Sequence, residues 1–109
     1  MIRATDHTHT FTLPVVASSC KVIKAIFTQG EGEDEVKKVW KYENNTLPDG
    51  MTLDGKKVII EMTQQQTLDF KEDEQVEAQL RALTNEDKSV ASGIFKVYVN
   101  KVLDEEILE

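Results

Sequence analysis

The chain has 109 residues, with 20 acidic and 13 basic side chains giving a net charge of −7; 39% of residues are apolar and 30% charged, the composition of one globular domain. The length excludes two domains, the single cysteine excludes a disulfide-built module, and the acid excess disfavours nucleic acid, whose backbone needs clustered Lys and Arg. No apolar run approaches the ~20 residues of a membrane span, so no membrane partner is expected. Residues 1–11 are too polar for the apolar centre of a secretory signal, so any release would be by another route such as host lysis.

Residues 1–109 are predicted to form a single domain, with residues 1–6 a flexible N-terminus. The first strand is predicted at residues 8–13, where Thr8, Thr10 and Thr12 alternate with His9, Phe11 and Leu13. Phe11 and Leu13 face inward, and Pro14 ends the run because it cannot donate to a ladder. Residues 15–19 form a short connection of about one helical turn. Residues 20–28 hold Val22, Ile23, Ala25, Ile26 and Phe27. Alternation there is imperfect and a helix from Ser18 competes, but the short β-branched run favours a strand. It stops at Gly30-Glu31-Gly32, which opens an acidic turn reaching Glu35.

The third strand is predicted at residues 36–42, with Val36, Trp40 and Tyr42 on one parity and Lys37 and Lys41 on the other. A loop over residues 43–50 carries Asn44-Asn45 and Pro48-Asp49-Gly50. A short strand at 51–53 follows, then Asp54-Gly55 as a two-residue hairpin signal. Residues 57–63 place Val58, Ile60 and Met62 on one face and Lys57, Ile59 and Glu61 on the other. Thr63 before three glutamines predicts a capped helical turn over 63–70, anchored by Leu68 and Phe70, where the chain crosses between sheets. Residues 71–74 are a charged turn.

The clearest strand is 75–84. Val76, Ala78, Leu80 and Ala82 face one way and Glu77, Gln79 and Arg81 the other, which is the pattern of a sheet with one wet face. After a polar turn at 85–88, residues 90–102 are predicted as one long strand, with Phe95, Val97 and Val99 on the inner parity and a bulge at Gly93. Residues 104–109 are an acidic tail. The expected fold is therefore all-β: an antiparallel, immunoglobulin-like β-sandwich of six to seven strands with one short helical turn, ahead of a small barrel.

No nucleophile elbow, phosphate loop or dinucleotide motif occurs, so no catalytic residue and no cofactor is assigned and an enzyme is not expected. His7 and His9 share a strand face, which suits a two-ligand metal half-site, but no third ligand is placed and no metal is assigned. The acidic runs Glu31, Glu33, Asp34, Glu35 and Glu72, Asp73, Glu74 lack the spacing of a calcium loop and fit solvated turns. Cys20 fits a small buried apolar residue, since no base stands near it in sequence. Two aromatic residues are candidate interface positions. Trp40 is either a sandwich core residue or a platform for sugar or protein, and Tyr98 lies on the parity opposite the inner residues of its strand.

Three segments together carry a family resemblance: Thr8-His9-Thr10-Phe11-Thr12-Leu13-Pro14, Gln79-Leu80-Arg81-Ala82-Leu83-Thr84, and Ala91-Ser92 leading into residues 97–103. Thr63-Gln64 with Thr67-Leu68-Asp69-Phe70 fits the same pattern. In their order and spacing they resemble small proteins encoded in prophages of Gram-positive bacteria, among the virion-morphogenesis genes. This chain departs from them by a longer insert at 43–50. The resemblance implies a context and no mechanism: a structural or accessory protein of the tail or baseplate region. Its partners would be other virion or phage proteins, with a homo-oligomer left open. It would be made in the bacterial cytoplasm and associate with the virion. An acidic inhibitor or decoy of a host protein, and a carbohydrate-binding module using Trp40 or Tyr98, are the alternatives.

Overall fold

A computed structural model describes residues 1–3, 5–71 and 74–100. The strands among them are β1 (His7–Thr12), β2 (Cys20–Gln29), β3 (Val36–Glu43), β4 (Met51–Asp54), β5 (Lys57–Met62), β6 (Gln75–Thr84), β7 (Ser89–Ala91) and β8 (Phe95–Tyr98). The helix α1 (Gln64–Leu68) lies between β5 and β6, and 3-10 turns at Ala17–Ser19 and Gly32–Asp34 flank β2. One sheet has the order β1-β5-β4; the other has the order β3-β2-β6, with β7 and β8 both on the far side of β6. Every strand pairing is antiparallel. The fold is an all-β two-sheet sandwich.

Alternation builds the space between the sheets. Phe11, Val58, Ile60, Met62 and Met51 project from the three-stranded sheet, and Ile23, Ala25, Phe27, Trp40, Tyr42, Val76, Ala78, Leu80 and Ala82 from the other, all buried. Register aligns them, with Phe11 opposite Val58, and Ala25 between Trp40 and Leu80. The uneven pattern in β2 has a local cause. Cys20 pairs with Thr84 and Val22 with Leu83, so Lys21 is an extra residue in a β-bulge. The bulge shifts the buried parity, so Cys20 and Ile23 both face inward while Val22 and Ile26 lie on the outer face.

The segments crossing between sheets are fixed by hydrogen bonds. The Ala17 N–H donates to the Gly55 carbonyl at 2.8 Å. Thr63 caps α1 reciprocally: its Oγ1 accepts from the Gln66 N–H, and its own N–H donates to Gln66 Oε1. Thr67 and Phe70 are fully buried beneath this turn, whereas Leu68 is only partly buried. In the 43–50 loop, Asn44 and Asn45 adopt the left-handed conformation and the Tyr42 hydroxyl donates to Asn45 Oδ1 at 3.1 Å.

Two local expectations change. The hairpin loop is Gly55-Lys56, one residue later than Asp54-Gly55, because Asp54 and Lys57 form the last ladder pair and Gly55 takes the positive φ. The predicted strand 90–102 divides into β7 and β8, which gives eight strands among the described residues. Between Ala91, opposite Arg81, and Phe95, opposite Ala78, the outer chain takes four steps against three, so one extra residue sits around Gly93. There the Ser92 Oγ accepts the Leu80 N–H at 3.0 Å, replacing a ladder carbonyl and interrupting the strand. At the N-terminus the Met1 ammonium donates to the Tyr98 carbonyl at 2.9 Å, and Ile2 bridges Asn100 in parallel. The expectations for Glu72, Asp73 and residues 101–109, including the 104–109 tail, lie outside the described residues.

Candidate functional site

The candidate surface is the outer edge of β8 and the opening it borders between the sheets. β8 pairs with β6 through Gln75–Tyr98, Val76–Val97, Glu77–Lys96 and Ala78–Phe95. Val97 and Phe95 therefore face inward, and Lys96 and Tyr98 outward. Val99 is fully buried, yet Phe95 remains 45% exposed although its parity is inward. The reason is position: β8 is a boundary strand, so the Phe95 ring stands at the lip of the sandwich instead of within it. Tyr98, at the end of β8, is 46% exposed; Ile94, just before the strand, is 60% exposed, and Ile2, bridged to Asn100 beyond it, is 46% exposed. Four of the seven exposed large apolar side chains among the described residues thus lie on β8 or next to its ends. Over residues 95–97 no strand among the described residues pairs with the other side of β8.

Behind Phe95 lies the histidine pair. β1 bounds its own sheet, and His7 and His9 project from it on the parity of Phe11. The His9 ring meets Phe11, Phe27 and Phe95 edge-on at centroid distances of 4.5, 5.6 and 5.8 Å. His7 lies 6.2 Å from His9, ring to ring. Each Nε2 is buried without a hydrogen-bond partner. Burial lowers the pKa of both imidazoles; for His7 the nearby N-terminal ammonium and His9 push it further down. Among the described residues no group of three or more His, Cys, Asp or Glu side chains is assembled to hold a metal ion. The pair offers proton uptake against a desolvation cost.

The two aromatic interface candidates part company. Tyr98 is on the surface, as its parity predicts. Trp40 is 5% exposed, with its ring edge-on to Phe27 at 5.5 Å, so it is a core residue and presents no platform to a sugar or protein. Cys20 is buried and free, and burial raises its thiol pKa, with a weaker opposing contribution from a Ser19 hydrogen bond. Ile94 and Phe95 escaped the sequence reading because a strand's place at a sheet boundary is not encoded in its own alternation; Tyr98 was visible through parity alone. No helix among the described residues is long and apolar enough to cross a membrane. The fold and this surface define a small β-sandwich with an apolar open strand. No protein-family model and no curated protein matches the chain.

Proposed function

We propose that this chain is a protein-interaction domain that works through the β8 edge, and that it serves as a small structural or accessory protein in the tail or baseplate region of a prophage virion. The observation that carries the first part is the exposure of Ile94, Phe95 and Tyr98 along one strand, on its two faces, where the outer side of that strand is open at 95–97. Exposed apolar side chains beside unpaired strand backbone suit β-strand addition, in which main-chain hydrogen bonds give affinity and the flanking side chains give selectivity. The virion context is supported by the resemblance of residues 8–14, 79–84, 91–92 and 97–103 to prophage-encoded proteins.

The test takes particles purified after induction of a host carrying the gene. Mass spectrometry is expected to find the chain in the particle, and clean absence overturns the virion reading. The Phe95→Lys and Tyr98→Lys variants, purified as folded protein, are expected to lose incorporation. Normal incorporation of both excludes the β8 edge.

A further inference from the structure

The outer face of the five-stranded sheet carries a feature that the linear sequence does not display. Lys24 in β2 is directly opposite Lys41 in β3 on one side and Arg81 in β6 on the other. Three cations on three adjacent strands therefore form one cross-strand row, with neighbours ~4.8 Å apart along the hydrogen-bonding direction. Like charges directly opposite one another oppose pairing. Lys41 is compensated by Glu43 on its own strand at 3.0 Å. Among the described residues, neither Lys24 nor Arg81 has an ion pair. A chain of net charge −7 thus concentrates uncompensated positive charge at one place on its surface.

A hollow opens at this row. Val22, Lys24, Arg81, Leu83 and Ser89 line a hollow of about 260 Å³. It borders the bulge at Lys21, which bends β2, and Val22 and Leu83 form an apolar wall next to the two unpaired cations. The hollow is smaller than the ~300–1,000 Å³ of sites for cofactors and drug-sized ligands, and suits one or two side chains.

We propose that this face binds an acidic segment of a partner protein, with carboxylates on the Lys41–Lys24–Arg81 row and an adjacent aliphatic side chain in the hollow against Val22 and Leu83. The net charge repels a dense polyanion such as nucleic acid more strongly than a segment bearing a few carboxylates, and the apolar wall has no counterpart in a phosphate. The row lies toward the opposite end of β6 from Tyr98, so this surface stands independently of the β8 edge.

The test is fluorescence anisotropy with a labelled synthetic peptide of alternating glutamate and leucine, beside a glutamine–leucine counterpart. The glutamate peptide is expected to bind and to be released by high salt. Lys24→Gln and Arg81→Gln are each expected to weaken it about two- to five-fold, the scale of a partly exposed ion pair. Lys56→Gln, on the hairpin of the other sheet, controls for loss of one positive charge and is expected to leave binding unchanged. Lys24→Gln is also expected to keep or raise the melting temperature, since it removes repulsion within the row; this separates lost binding from lost folding. No binding, equal binding of the glutamine peptide, or an equal effect of Lys56→Gln overturns the proposal. Competition by inorganic phosphate as effective as that by the peptide makes this a small-anion site and overturns it too. Salt-sensitive self-association in sedimentation that Arg81→Gln abolishes assigns the face to a second copy, with the same consequence.

Discussion

Gly50 lies against Trp40: a Cβ at Gly50 would stand 3.2 Å from the indole Nε1 and 2.7 Å from the Glu61 carbonyl oxygen. Gly50 also has φ +86°, and its own carbonyl accepts the Glu61 N–H at 2.7 Å. Positive φ and close backbone approach both demand glycine here. Gly50→Ala is expected to destabilise the fold by more than about 1 kcal/mol, because a side chain must adopt a disfavoured conformation and push the β4–β5 edge away from Trp40. Urea unfolding followed by tryptophan fluorescence checks this, and Gly93→Ala, where nothing stands near the added carbon and no positive φ is needed, serves as the comparison.

The histidine pair gives stability a pH dependence with a definite sign. Folding lowers the pKa of His7 and His9 below the ordinary value of about 6.5. As pH falls through that value the unfolded chain takes up protons that the folded chain resists, so stability falls on acidification and is fully present above it. The groups acting on His7 are the Met1 ammonium and His9, while aromatic rings surround His9. The urea midpoint is expected to drop between neutral and mildly acidic pH, and the double variant His7→Gln with His9→Gln to flatten that drop. An equal slope in the variant places the titration elsewhere.

Gln29 is 3% exposed and makes a reciprocal clip with the backbone of Lys71. Its Nε2 donates to the Lys71 carbonyl at 2.8 Å, and the Lys71 N–H donates to its Oε1 at 2.6 Å. The clip holds the end of β2 to the segment after α1. Gln29→Ala leaves both main-chain groups without these partners and is expected to cost about 1–3 kcal/mol. Gln29→Glu keeps the acceptor but loses the donor and places a carboxylate near the Lys71 carbonyl, so it is expected to lose stability as well. Chemical denaturation of the three proteins checks this.

Thr63→Ala removes the hydroxyl that accepts the Gln66 N–H, leaving the first turn of α1 without its side-chain cap. A loss of about 1 kcal/mol is expected, with the faster-exchanging amides confined to α1 and its contacts. Hydrogen exchange followed by mass spectrometry reads both the size and the place of the effect. Thr63→Ser is expected to stay close to the parent.

Much of the fold was legible in the residues themselves. Val76–Ala78–Leu80–Ala82 and Val58–Ile60–Met62 alternate cleanly, and a period of two has one physical reading, a sheet with one buried face. The capped turn at Thr63 and the break at Pro14 are equally local, since the signals lie within a few residues of their effects. The outward direction of Tyr98 followed from parity.

Tertiary structure decided what depends on neighbours distant along the chain. The bulge at Lys21 exists only because Cys20 and Val22 meet Thr84 and Leu83, so β2 alone displays an untidy pattern and hides its register. Phe95 has the inward parity of a core residue and is half-exposed, because exposure depends on whether a further strand covers β8. Trp40 is buried because Phe27 and the Gly50 loop close over it. The row of Lys41, Lys24 and Arg81 joins residues from three strands, and nothing in their separate positions announces it. Alternation along a strand is a property of the local backbone and can be read from sequence, whereas which strands lie side by side, and in what register, is settled by burial and hydrogen bonding over the whole domain.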